Sequence, residues 1–197
     1  MSTKAISGAR IFDGSRWHDD AALLVSDGSV VAIQSAASLP DGCEIVDAGG
    51  GILVPGFIDL QVNGGGGAML NDEPTVEGIA TICRAHAKFG STGLLPTLIT
   101  DTREITAAVI AAGKQAMRQG VPGFLGLHLE GPHLSIARKG AHDPALIRPM
   151  DEDDLALMLS CAGVFEAMMV TVAPENVTLQ QVETLARAGF TVSLGHT

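Results

Sequence analysis

Tyrosine is absent from the 197 residues, tryptophan occurs once, and aromatic residues together make up 4%. Basic residues are scarce as well: 12 Lys and Arg stand against 22 Asp and Glu, for a net charge of −10. Nucleic-acid binding draws on clustered Lys and Arg, and single-strand binding also on stacked aromatics. This chain has too little of either, so nucleic acid and anionic membranes are excluded as main partners. The three cysteines, Cys43, Cys83 and Cys161, are odd in number and widely spaced. They build no disulfide framework or cysteine metal site and read as reduced, buried thiols of a cytoplasmic protein. No apolar run reaches the roughly 18 residues of a membrane span, and residues 1–10 lack a signal-peptide core.

What is present is a globular composition, 46% apolar, with 24 glycines gathered at the ends of candidate strands. Residues 1–54 read as a small all-β, β-sandwich-like domain. A strand is expected over 5–12, and strands over 21–25 and 30–33 flank Asp27-Gly28, a pair suited to a tight hairpin turn. From Pro55 the pattern changes to alternation of strands and helices. Strands are expected at 56–63, 93–99, 124–130, 167–172 and 191–194. Helices are expected at 75–89, 101–119, 151–162 and 178–188, with Thr75 as a cap and Gly120 and Gly189 as stops. Such alternation implies a parallel sheet. Polar residues at the end of strand after strand fit a closed barrel better than an open sheet, which gathers its ligand at one crevice. The expected fold is therefore α/β, of the (β/α)8 TIM-barrel type, with about five of its eight units in residues 55–197. The chain reads as the N-terminal part of a longer polypeptide.

One strand carries the densest chemistry. In Gly126-Leu127-His128-Leu129-Glu130-Gly131-Pro132-His133 the period of two puts His128 and Glu130 on one face, and Gly-Pro forces a turn directly after the carboxylate. Glu130 and His196 are candidate ligands for a divalent metal, since carboxylate oxygen and imidazole nitrogen together suit zinc and its neighbours. The bland alternative makes Glu130 a paired structural acid and His196 a satisfied core histidine. Gln61 and Asn63 share a face of the first barrel strand. Amides are poor metal ligands, so they argue for one tightly bound metal, or merely bond the glycine turn at 64–67. His142, in a loop after Arg138-Lys139-Gly140-Ala141, could donate to a substrate carbonyl or decorate the surface. His128 lies one layer deeper, as support. His133 is ambiguous, His18 and His86 have no supporting context, and the acid run 151–154 reads as a helix N-terminus.

These segments together resemble the N-acetylglucosamine-6-phosphate deacetylases of the amidohydrolase superfamily. The resemblance runs through Pro55-Gly56-Phe57-Ile58-Asp59-Leu60-Gln61-Val62-Asn63-Gly64, the strand with Glu130, Lys139-Gly140-Ala141-His142, Ala173-Pro174-Glu175 and Gly195-His196-Thr197. It implies a cytoplasmic, homodimeric enzyme that hydrolyses an acetamide on a phosphorylated amino sugar, giving glucosamine 6-phosphate and acetate. It places Glu130 and His196 at metal positions, for one divalent ion: zinc, or iron, cobalt or manganese. Ala141 and His142 fall at substrate positions, with His142 near the acetyl carbonyl, and Gln61 and Asn63 match a single-metal subgroup. The catalytic aspartate, a second metal histidine and the phosphate-binding residues are implied to lie past Thr197. Another amidohydrolase acting on a cyclic amide or nucleobase, and an inactive fragment or scaffold, stay open beside this reading.

Overall fold

The computed structural model describes residues 3–197 and divides into two compact units, Met1–Gly56 and Phe57–Thr197. The first unit holds two small sheets. One has the order β5-β4-β1-β6, from β1 (Thr3–Ser7), β4 (Ala21–Ser26), β5 (Ser29–Ser35) and β6 (Glu44–Asp47). The other has the order β3-β2-β7, from β2 (Arg10–Phe12), β3 (Trp17–His18) and β7 (Ile52–Leu53). Asp27 (φ 50°) and Gly28 (φ 77°) make the hairpin turn between β4 and β5, both in the left-handed region that a primed turn needs. The run expected as one strand over 5–12 is two. Gly8 takes φ 74°, which a residue with a Cβ resists, and the chain passes there from one sheet to the other. Cys43, expected buried, is partly exposed, whereas Cys83 and Cys161 are buried.

The second unit is one parallel sheet of order β12-β11-β10-β9-β8, curled as half a barrel and backed by helices. Its strands are β8 (Phe57–Val62), β9 (Ser91–Ile99), β10 (Gly126–Glu130), β11 (Ala167–Val172) and β12 (Thr191–Leu194). The helices are α1 (Val76–Ala87), α2 (Arg103–Gln119), α3 (Glu152–Leu159) and α4 (Leu179–Arg187). Each begins at a side-chain cap: Thr75, Thr102, Asp151 and Thr178 accept backbone N–H groups that the first helical turn leaves free. Thr178 and Gln181 form a reciprocal capping box. Gly120 ends α2 in the left-handed conformation.

Alternation along the strands sorts two chemistries. Leu127 and Leu129 of β10, Leu94 and Leu98 of β9, and Val170 and Val172 of β11 join Ile79, Ile82, Val109 and Leu185 of the helices in one buried core. Each such side chain contributes roughly 1.5–3 kcal/mol by leaving water. Gly113 lets α2 lie close on β10, because a Cβ there would stand 2.8 Å from Leu127 Cδ1. The opposite face carries the polar set. In register, His128 lies beside Thr97 and Glu130 beside Thr171, which places these groups in layers across neighbouring strands.

Candidate functional site

The strand ends and the loops that follow them bring Glu130, His142 and His196 together, with one potential ligand atom from each lying within 4.8 Å of the others. Glu130 ends β10 and is 7% exposed. His196 lies two residues past β12, and its Nε2 is 3.1 Å from Glu130 Oε1. His142 comes from the loop after β10. Its Nε2 is 3.9 Å from the same oxygen, and its ring meets that of His196 edge-on, centroids 4.6 Å apart. Gln61, on β8, donates from Nε2 to the other carboxylate oxygen, Oε2, at 3.1 Å. Asn63, Met69, Ile99 and Ala141 complete an open pocket of about 270 Å³ around the three. A larger apolar cavity of about 460 Å³ lies in the first unit, between Ile11, Leu23, Ile33 and Pro55.

Hydrogen bonds define the histidine tautomers. His196 Nδ1 is 2.9 Å from the Arg138 carbonyl oxygen. A carbonyl carries no hydrogen, so Nδ1 must donate, and in the neutral ring the Nε2 lone pair faces Glu130. Two acceptors, imidazole Nε2 and carboxylate Oε1, then confront each other at 3.1 Å. A divalent cation satisfies both. A histidine that turns its other N–H to a backbone carbonyl is also the usual arrangement of a metal-binding imidazole. The residues present therefore fit a metal ion. His196 sits in the left-handed region, at φ 55°, with its carbonyl accepting from Ser135 N–H. A non-glycine residue stays in such a conformation only where its surroundings enforce it.

His142 is built differently. The Thr100 backbone N–H donates to its Nδ1 at 3.3 Å, and the Thr100 hydroxyl lies 2.8 Å from the same atom. Burial lowers its pKa, against the opposing pull of the Glu130 carboxylate. Beneath the cluster, His128 is fully buried, with Nδ1 3.1 Å from Thr97 Oγ1 and Nε2 2.8 Å from Thr171 Oγ1. Thr97 Oγ1 also accepts the Val62 N–H, so a polar belt crosses β8, β9, β10 and β11 below the carboxylate. Burial outweighs the nearby Glu130 charge and drops the His128 pKa to about 4, leaving the ring neutral.

The remaining histidines lie elsewhere. His133 is buried and donates from Nδ1 to the Arg148 carbonyl oxygen. His18 pairs with Asp13 in the first unit. His86, without context in the sequence, donates from Nε2 to the Gly64 carbonyl at 3.0 Å and pins the glycine turn to α1. A Cβ on Gly65 would stand 2.8 Å from that nitrogen, so the turn closes tightly on the helix. The acid run holds more than a helix start. Asp151 is the cap, but Asp154, 4% exposed, binds Arg103 and Arg148, each at 3.0 Å. The sequence gives no sign of Met69 or Ile99 at the pocket, and marks Thr100 without a role, only as a polar residue at a strand end.

A curled parallel sheet with a carboxylate–imidazole cluster at the C-terminal ends of its strands defines a barrel of metal-dependent hydrolase type. The Amidohydrolase family profile matches residues 52–193, and the NagA composite domain profile matches residues 5–53. The chain belongs to the amidohydrolase family, which is metal-dependent. Its relatives narrow the likeness. N-acetylgalactosamine-6-phosphate deacetylase of Shewanella sp. is 41% identical over 192 residues, 96% of this chain and 48% of that protein. N-acetylglucosamine-6-phosphate deacetylase of Haemophilus influenzae is 35% identical over 90% of this chain and 46% of that protein. Among solved structures, N-acetylglucosamine-6-phosphate deacetylase from Pasteurella multocida superposes with TM-score 0.92 at 32% identity, over 98% of this chain and 51% of that one. A mutant of the Mycobacterium smegmatis enzyme, bound to N-acetyl-D-glucosamine-6-phosphate, gives TM-score 0.86 at 29% identity, over 100% of this chain and 50% of that one. The chain thus spans about half the length of the curated relatives it matches. Among the described residues no helix is long and apolar enough to cross a membrane.

Proposed function

We propose that these residues form the metal-binding side of a deacetylase that hydrolyses N-acetylglucosamine 6-phosphate to glucosamine 6-phosphate and acetate. The observation that carries this reading is the confrontation of Glu130 Oε1 and His196 Nε2 at 3.1 Å, with His196 Nδ1 already committed to a backbone carbonyl. Glu130 and His196 would hold one divalent ion, zinc in the first instance, with iron, cobalt and manganese sharing these donors. When bound, such an ion supplies Lewis-acid activation of water at neutral pH.

The chain's own groups set the geometry. Gln61 fixes the free oxygen of Glu130, so that Oε1 stays turned to His196. His142, neutral and buried beside the pocket, donates from Nε2 to the amide carbonyl oxygen and stabilises the charge that develops there. Asn63 and Ala141 border the substrate. In this reading the proton-transfer carboxylate belongs to the remainder of the whole protein, which works in the cytoplasm as a homodimer. Acetate release from the sugar phosphate, lost on chelation and restored by a divalent ion, tests the proposal.

A second reading keeps the reaction and changes one sugar centre. The Shewanella relative is an N-acetylgalactosamine-6-phosphate deacetylase. Comparing kcat/KM for the two epimers decides between them.

A further inference from the structure

We infer that Thr100 is a positioning residue that fixes the tautomer of His142, so that an Nε2–H and not a lone pair faces the site. The catalytic consequence rests on the deacetylase reading above; the tautomer itself does not.

Thr100 directly follows β9 and is 6% exposed. It addresses one ring nitrogen of His142 twice. Its hydroxyl lies 2.8 Å from Nδ1, and its backbone N–H points at the same atom from 3.3 Å. The hydroxyl alone decides nothing, because it can donate or accept. The backbone amide decides, because an N–H can approach only a bare lone pair. Nδ1 is therefore unprotonated, the hydroxyl donates to it as well, and the hydrogen of the neutral ring sits on Nε2. The competing acceptor for that hydroxyl, the Glu130 carbonyl oxygen, lies farther away at 3.4 Å.

A second observation comes from the other side of the hydroxyl. Gly131 follows Glu130 with φ 87°, and a Cβ built on it would run into Thr100 Oγ1. A glycine directly after the carboxylate thus leaves the room the hydroxyl occupies. The outcome is a division of labour among three side chains that lie close enough to bind one ion. Glu130 and His196 direct lone pairs at each other, whereas His142 directs a hydrogen. A protonated Nε2 cannot ligate a metal, so Thr100 keeps His142 available to the carbonyl of the substrate.

The test is ¹⁵N NMR of histidine-labelled, zinc-loaded whole protein, followed by kinetics of Thr100→Val and Thr100→Ser. The expected spectrum shows an unprotonated Nδ1 and a protonated Nε2 for His142; a protonated Nδ1 overturns the inference without recourse to any variant. Thr100→Val keeps the backbone N–H but deletes the nearer donor, the hydroxyl at 2.8 Å. It is expected to lower kcat about 10–100-fold, the range for losing a partner that orients an active-site group, with zinc content and KM little changed. Thr100→Ser is expected to restore most of the rate. Wild-type kcat in Thr100→Val, or zinc lost in step with rate, overturns the inference. If the unaltered protein releases no acetate, the deacetylase reading fails while the NMR result still decides the tautomer.

Discussion

Gln61 Nε2 lies 3.1 Å from Glu130 Oε2, the carboxylate oxygen that does not meet His196. An amide on the first barrel strand thus holds one oxygen while its partner oxygen serves the cluster. Gln61→Ala is expected to weaken divalent-ion affinity about 10–100-fold, as losing an outer partner of a ligand does, without unfolding the barrel. Competition against a chromophoric chelator measures this directly.

Glu130→Gln removes the one carboxylate of the cluster and leaves a neutral amide facing His196. Bound metal and turnover should fall together, the rate by more than about 100-fold, beyond the usual effect of an outer partner. Elemental analysis beside an acetate assay checks it. Normal metal content with lost rate would place the ion elsewhere.

Gly131→Ala forces a Cβ into Thr100 Oγ1 and keeps a side-chain residue at φ 87°. The backbone strain alone costs about 1–3 kcal/mol, and displacement of Thr100 should slow turnover as well. Thermal melting and kcat, measured on the same preparation, separate the two effects.

Asp154 gives the pH prediction. Burial alone would raise its pKa, but hydrogen bonds from Arg148 and Arg103 outweigh burial and lower it to about 2, from an ordinary 3.8. The unfolded chain therefore takes up this proton first as pH falls. The stabilisation is complete above about pH 4 and fades toward pH 2, a total of roughly 2–3 kcal/mol. Asp154→Ala leaves Arg148 without its carboxylate, whereas Arg103 keeps Asp151 at 2.7 Å. It should cost about 2–3 kcal/mol at neutral pH and should flatten that acid limb. Urea melts at a series of pH values show both.

The sequence displays some of this plainly. Leu127 and Leu129 alternate with His128 and Glu130 because one face of β10 meets helices and the other the barrel interior. The caps Thr75 and Thr178 are legible for a similar reason, since a cap bonds three residues along its own chain. The break at Gly8 is hidden, because only the pairing of β1 with β4 and β2 with β7 shows that one apolar run serves two sheets. Strands as short as β3 and β7 hold two residues each and carry no periodicity at all. Thr100 and His142 are 42 residues apart, and Asp154 and Arg103 are 51 apart. Pairs between elements so far apart along the chain have no spacing rule to betray them. His86 escaped for the same reason: its partner is a backbone carbonyl 22 residues away.

The most direct test of the metal-site proposal is acetate release from N-acetylglucosamine 6-phosphate by the whole protein, with bound metal counted in the same sample. One divalent ion per chain, activity abolished by chelation and restored by zinc, and both lost in Glu130→Gln are the expected results. Undiminished acetate release from metal-free protein would contradict it.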